Sequence, residues 1–372
     1  MREVLPALRA WWDEGATVGL ATVVHTFRSA PRPPGASMLV GPDGSVVGSV
    51  SGGCVEGAVY EAAREVVATG RGRVERYGVS DDDAFAVGLT CGGVLDVAVE
   101  PVSRHTFPEL GALVEAVAAE RPVATATVVA HPDPDRVGRR LLVGEVSGGS
   151  LGSARLDAAV ADDAAGMLAA GATGVLVYGV EGERRGEGCE VFVHSFAPPP
   201  RMIVFGAIDF AAAMSRAGAF LGYRVTVCDA RPLFATAARF PHADEVVVDQ
   251  PFRYLAAERD AGRLDGRTVL VLLTHDPKFD VPLLEVALRL PVPPAYVGAM
   301  GSRRTDTDRR ERLRERGLTD TELAALSGPV GLDLGGRTPE ETAISIAAEI
   351  VARRWGGTGL PLSQLTSAVH HS

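Results

Sequence analysis

Apolar residues at the start of the chain fall at helical spacing, Val4, Leu5, Leu8, Trp11 and Trp12, and Gly15 ends the pattern. This predicts a first amphipathic helix with an aromatic anchor into a core. From Thr17 to Thr26 the sequence is β-rich and apolar enough for a buried strand. Arg28 to Gly35 then reads as a stiff basic loop that cannot join a sheet ladder. Ser37–Val40 and Ser45–Val50 flank Gly41-Pro42-Asp43-Gly44, a hairpin signal, and Ala58–Ala68 has helical composition. Asp81-Asp82-Asp83 is expected to cap an acidic surface turn, and Val94 to Glu100 alternates as a strand.

An internal echo runs through this first half. Thr22-Val23-Val24 returns as Thr127-Val128-Val129, and Val50-Ser51-Gly52-Gly53-Cys54-Val55 returns as Val146-Ser147-Gly148-Gly149-Ser150-Leu151, each leading to an alanine-rich helix. Cys91 before one strand is matched loosely by Cys189 before Val191-Phe192-Val193. Two related α/β units are expected, with Ser150 standing where the first unit has Cys54.

Ala197-Pro198-Pro199-Pro200-Arg201 interrupts the pattern as a polyproline spacer. Beyond it, strands at Met202–Phe205, Val225–Cys228, Glu245–Val248, Thr268–Leu273 and Ala295–Gly298 alternate with helices, and Thr338-Pro339-Glu340-Glu341 opens a last helix with a capping box. The fold class is therefore α/β: residues 1–197 form an N-terminal domain with an internal duplication, 198–201 a linker, 202–356 a Rossmann-like doubly wound parallel sheet, and 357–372 a frayed tail.

The candidate chemistry sits in loops. Ser51, Gly52 and Gly53 precede a helix, so their N–H groups can hold an anion and the helix dipole can stabilise a thiolate at Cys54; a small apolar residue that happens to be cysteine is the alternative. Cys91 beside Gly92 and Gly93 is a second, weaker thiol candidate. In a doubly wound sheet, ligands sit beyond the carboxyl ends of the strands. That selects Gly206, Asp229 and Arg231, Thr274, His275 and Asp276, and the loop Gly298, Gly301, Ser302, Arg303 and Arg304, whose glycines and guanidiniums suit a phosphate or pterin anion. Asp229 can accept a ribose hydroxyl or merely cap its turn.

Net charge of −10 opposes a non-specific grip on nucleic acid or an anionic membrane. No signal-type or membrane-spanning apolar run is present, so a cytoplasmic location is expected. The four cysteines are too scattered for a disulfide framework or a structural metal site.

Taken together, Ser51 to Gly57, Cys91-Gly92-Gly93, Phe205-Gly206-Ala207, Asp229-x-Arg231, Leu273 to Asp276, Tyr296 to Arg304 and Gly331 to Glu341 resemble the XdhC/CoxI family, accessory proteins of xanthine dehydrogenase and related molybdenum hydroxylases. The resemblance spans about Gly15 to Arg354 with the motifs in order. It implies a chaperone that binds the molybdopterin cofactor, assists its sulfuration with a cysteine desulfurase and delivers it to an apo-hydroxylase. By position, it implies that Cys54 and Cys91 are the thiols near the cofactor and that the second domain supplies the loops at Thr274–Asp276 and Gly298–Arg304. Relatives commonly carry Gly-Ala-Gly-His in the first loop, whereas this chain has Gly206-Ala207-Ile208-Asp209. A branched side chain and a negative charge there work against nucleotide phosphate, so NAD(P) is not expected as a cofactor. Two other readings stay open: a nicotinamide-dependent oxidoreductase and a cofactor-free adaptor between desulfurase and hydroxylase. A homodimer would let a thiol-bearing half and a Rossmann half of different copies complete one site.

Overall fold

The computed structural model describes residues 1–27, 32–78 and 93–365. Arg28 to Pro31, Asp81 to Asp83, Cys91, Gly92 and the end of the tail lie outside the described residues. The chain divides into two compact units between Pro198 and Pro199.

The first unit opens with α1 (Leu5–Asp13), followed by β1 (Val18–Phe27), β2 (Ser37–Val40), β3 (Val46–Gly48), α2 (Glu56–Thr69), β4 (Arg73–Gly78) and β5 (Val94–Val102). After α3 (Leu110–Ala118) the same series recurs as β6 (Val123–Ala130), β7 (Arg140–Gly144), β8 (Gly148–Gly149), α4 (Ala154–Ala170), β9 (Gly174–Gly179) and β10 (Gly188–Phe196). The two five-stranded sheets have matching orders, β3-β2-β1-β5-β4 and β8-β7-β6-β10-β9, so the duplication read from the sequence is a duplication of topology.

Its register differs from the sequence echo. Gly48 pairs with Met38 and Met38 with Ala21, while Gly149 pairs with Leu141 and Leu141 with Ala126. Gly48 therefore corresponds to Gly149, and the same spacing relates the left-handed helix caps Gly70 and Gly171 and the strand starts Arg73 and Gly174. Ser150 then matches Ser49, not Cys54. Ser-Gly-Gly in the first copy lies in a loop, whereas Gly148-Gly149 in the second is strand β8. Cys189 is likewise no loop residue: it lies buried within β10, opposite Tyr178.

Strand alternation sorts the side chains of this unit into four layers. Ala21, Val23, Val97 and Val99 face α2 through Val59, Ala63 and Val66, and Ala126, Val128, Val191 and Val193 face α4 through Leu156, Val160 and Ala164. The opposite faces of the two sheets meet through Val24, Ala98, Val129 and Phe192. Between them lies a void of about 20 Å³ lined in part by Thr22, Thr125, Thr127, Glu100, Arg140 and His194. Arg140 pairs with Glu100 there and stacks over the Phe107 ring at 4.6 Å.

The second unit comprises β11 (Arg201–Phe205), α5 (Asp209–Phe220), β12 (Arg224–Asp229), β13 (Glu245–Val248), α6 (Pro251–Asp260), β14 (Val269–Leu272), α7 (Pro277–Ala287), β15 (Tyr296–Ala299), α8 (Arg303–Glu315), α9 (Asp320–Ala324), β16 (Leu326–Ser327) and α10 (Pro339–Trp355). Its sheet runs β13-β12-β11-β14-β15-β16 with every pair parallel, the Rossmann order. Strands buried on both faces read as unbroken apolar runs. Met202 and Val204 pack toward α5 and α10 with Met214 and Ile346, while Ile203 and Phe205 pack toward α6, α7 and α8 with Leu255, Leu284 and Leu313. The strand order reverses between β11 and β14, which opens a crevice at their carboxyl ends.

Candidate functional site

In the first unit the loop between β3 and α2 carries the sequence-selected residues Ser51, Gly52, Gly53 and Cys54. Gly52 and Gly53 hold φ of +79° and +122°, and nothing stands within 4 Å of a Cβ built on either, so the backbone conformation rather than crowding requires glycine. Their N–H groups do not face an open anion site. They donate to Glu56, Gly52 to Oε1 at 3.0 Å and Gly53 to Oε2 at 2.8 Å, joined by Ser51 N–H at 2.9 Å and Val55 N–H at 3.2 Å. The Ser49 and Ser51 hydroxyls add bonds of 2.6 and 2.5 Å. Burial works against the Glu56 charge, but these donors prevail and hold the carboxyl down at about 2. The anion expected at this helix start is thus the chain's own carboxylate.

Cys54 is half-buried, its N–H bonded to Ser51 Oγ at 3.0 Å, and it packs beside the cluster containing Val50, Val55 and Val59. The other described cysteines are buried. Burial raises the Cys189 thiol, and burial followed by the charges of Asp249 and Asp229 pushes Cys228 up to about 12. Among the described cysteines, Cys54 alone is not buried. Cys91 and Gly92 lie outside the described residues.

In the second unit a cleft of about 510 Å³ opens at the carboxyl ends of β11, β12 and β14. Asp229, Arg231, Thr274, His275 and Asp276 all line it, together with Ile208. Gly206 does not itself line the cleft; it holds φ +110°, and a Cβ there would stand 2.9 Å from Thr274 Cγ2. Asp229 is nearly buried and accepts four hydrogen bonds: Ala207 N–H at 2.7 Å, Arg231 N–H at 2.8 Å, and the Arg231 guanidinium fork at 2.9 and 2.8 Å. Burial opposes its charge, yet the Arg231 fork and the two amides keep the carboxyl below its ordinary range. Four donors fill a carboxylate's acceptor sites, so Asp229 serves the loop and has none left for a ribose hydroxyl.

The phosphate loop is closed in the same way. Ala207 N–H is turned onto Asp229, and Ile208 N–H bonds Gly206 O at 3.1 Å. Asp209 sits at the first turn of α5, with its charge partly met by Arg239 at 3.4 Å. The guanidiniums of Arg239 and Arg231 both lie over the ring of the loop residue Phe234, 5.6 and 4.7 Å from its centroid.

Thr274, His275 and Asp276 follow β14. Asp276 caps α7 by accepting Lys278 N–H at 2.9 Å, His275 is exposed in the cleft, and the Thr274 hydroxyl donates to Asp280. Asp280 belongs to a buried ionic cluster that sequence reasoning missed. Arg309 Nη2 donates to Asp280 at 3.2 Å and to Met300 O at 2.6 Å, while Asp306 receives Arg310 at 2.7 Å. Burial raises the Asp280 carboxyl despite the Thr274 and Arg309 bonds. The signal was faint, because charged residues on α7 and α8 look like solvated faces. Gly298 lies within β15, Ser302 caps α8 by accepting Thr305 N–H at 3.1 Å, and Arg303 and Arg304 are exposed. None of Gly298, Gly301 or Ser302 to Arg304 lines the cleft; Arg309 links their loop to it through Met300 and Asp280.

Among the described residues, no group of three or more His, Cys, Asp or Glu could hold a metal ion, and no helix is long and apolar enough to cross a membrane.

Comparison with known proteins places these features in context. A family model described as the XdhC Rossmann domain matches residues 202–350, and one described as the XdhC and CoxI family matches 11–78 and 116–179. The chain is 28% identical over 341 residues to the molybdenum cofactor insertion chaperone PaoD of Escherichia coli (strain K12), covering 90% of this chain and 83% of that protein. It is 25% identical over 337 residues to a Bacillus subtilis (strain 168) protein named as a probable xanthine dehydrogenase subunit, covering 90% and 92%. Among solved structures, a Bacillus halodurans protein described as a xanthine dehydrogenase matches with a TM-score of 0.65 at 25% identity, over 94% of this chain and 95% of that one.

Proposed function

Since the chain belongs to the XdhC and CoxI family, we propose that it is a cytoplasmic maturation factor that binds the molybdenum cofactor as cargo, assists its sulfuration beside a cysteine desulfurase, and delivers it to a xanthine dehydrogenase-type hydroxylase. The observation that carries this reading is the similarity, over nine tenths of the chain and across both units, to a relative named as a cofactor insertion chaperone.

The cleft suits such a cargo. Molybdopterin joins a partly conjugated pterin ring system to a dithiolene and an anionic phosphate. Ile208, Leu273, Pro277 and Phe279 offer apolar faces for the ring, and Arg231, Thr274 and His275 offer polar edges. Arg231 keeps half of its side chain exposed while paired to Asp229. The closed phosphate loop speaks against a nicotinamide dinucleotide held in the usual way, since the Ala207 and Ile208 N–H groups are already bonded within the chain. Cys54, in the first unit, is the thiol proposed for the sulfuration step.

Anaerobic mixing with molybdenum cofactor followed by native mass spectrometry tests the reading. One retained cofactor per chain is expected, with weaker retention in Cys54→Ala. No retained cofactor in the unaltered protein would sink it.

A further inference from the structure

We propose that Glu56 is the positioning residue for the Cys54 loop, a role that rests on the reading of Cys54 as the working thiol. The argument comes from comparing the two halves of the first unit. Counted from the paired glycines Gly48 and Gly149, Glu56 corresponds to Asp157, Ser49 to Ser150 and Cys54 to Arg155. Both halves contain a carboxylate clamp. In the second half, Asp157 accepts the Ser150 hydroxyl at 2.8 Å and Leu151 N–H at 2.7 Å, and Gly152 N–H bonds Ser150 Oγ at 3.0 Å. In the first half, Glu56 accepts the Ser49 hydroxyl at 2.6 Å, and Gly52 N–H bonds Ser49 Oγ at 2.9 Å.

The halves then diverge. Helix α4 begins at Ala154, so Arg155 is already helical, whereas α2 begins only at Glu56 and leaves Cys54 in the loop. The first half has thus unwound the turn that its counterpart keeps. Unwinding leaves N–H groups without helical acceptors. Glu56, one methylene longer than Asp157, collects those of Ser51, Gly52, Gly53 and Val55 together with the Ser51 hydroxyl. Ser51 Oγ in turn accepts N–H from Cys54 and Val55 at 3.0 and 3.1 Å. The backbone on both sides of Cys54 is therefore tied, directly or through Ser51, to one carboxylate. A clamp with the same chemistry exists in the other half without a cysteine, so the extra bonds serve the loop that bears the thiol.

Asp157→Asn is an internal control, because it weakens the equivalent clamp where no thiol depends on it. The experiment compares Glu56→Gln, Glu56→Asp and Asp157→Asn in the full chain. It follows iodoacetamide labelling of the Cys54 peptide by mass spectrometry at pH 7.5 and amide exchange over residues 49–55. Loss of charge-assisted hydrogen bonds should raise both rates in Glu56→Gln by about tenfold or more. Glu56→Asp, which keeps the charge but shortens the reach, should fall between, and Asp157→Asn should leave Cys54 labelling within about twofold of the unaltered protein. Should Glu56→Gln fail to fold, Glu56→Asp carries the same comparison. Unchanged labelling and exchange in the Glu56 variants, or an equal rise in Asp157→Asn, would overturn the proposal. Faster labelling with full cofactor retention would uphold the positioning role and remove Cys54 from the cargo site, which separates the two claims.

Discussion

His194 gives the first unit a defined weakness to acid. It is nearly buried on β10, stacked on Phe196 with centroids 4.5 Å apart and the rings 4° from parallel, and its Nδ1 has no hydrogen-bond partner among the described residues. Burial, followed by the positive charges of the chain's amino group and Arg2, pushes its pKa down to about 3 from an ordinary 6.5. Above pH 6.5 both the folded and unfolded chains carry a neutral imidazole, and the stability is fully present. As pH falls below 6.5 the unfolded chain takes up a proton that the folded chain refuses until about pH 3. Between pH 7.5 and 5 this linkage removes about 2 kcal/mol, or roughly 4–8 °C of melting temperature for a unit of this size. Urea unfolding at the two pH values, in the unaltered chain and in His194→Gln, isolates the effect. The Met1 amino group, lowered to about 6 by burial, contributes to both proteins alike and cancels. The unaltered chain should lose about 2 kcal/mol more than the variant. Equal losses would refute the neutral, buried imidazole.

Other perturbations probe the second unit. Arg309→Met leaves Asp280 and Asp306 buried without their shared cation and should cost about 3–5 kcal/mol by calorimetry; a cost under about 1 kcal/mol would mean the cluster is not an ionic unit. Gly206→Ala forces a side chain into φ +110° against Thr274 and should cost about 1–3 kcal/mol in urea unfolding. NAD or NADP at millimolar levels should leave the melting temperature unchanged, since the loop amides of Ala207 and Ile208 are engaged within the chain; a clear rise would reopen the oxidoreductase reading.

The large pattern of the fold was written in the sequence. Unbroken apolar strands alternating with helices gave the parallel sheet. The duplication was visible too, but its register was not. Ser-Gly-Gly repeats as letters, yet the pairing of Gly48 and Gly149 with their hairpin strands sets the alignment, which carries on unchanged to the helix caps Gly70 and Gly171 and leaves the letters out of step. Asp229 and Arg231 were found by their place after a strand, but that they would bind each other was not legible, because a carboxylate and a guanidinium two residues apart can both face a ligand. Glu56 was hidden for a related reason. A glutamate in the first turn of a helix is ordinary, and only the three-dimensional path of Gly52 and Gly53 turns it into the anion of its own loop.

The proposed delivery of molybdenum cofactor by this chain to a hydroxylase is open to a transfer experiment. The protein loaded with cofactor is mixed anaerobically with an apo-hydroxylase of the xanthine dehydrogenase type, the two are separated, and the pterin in each is quantified by its fluorescence after oxidation. Cofactor is expected to move to the hydroxylase faster from the loaded protein than from an equal amount of free cofactor, and Cys54→Ala to lose this advantage. Transfer no faster than from free cofactor would contradict the proposed delivery.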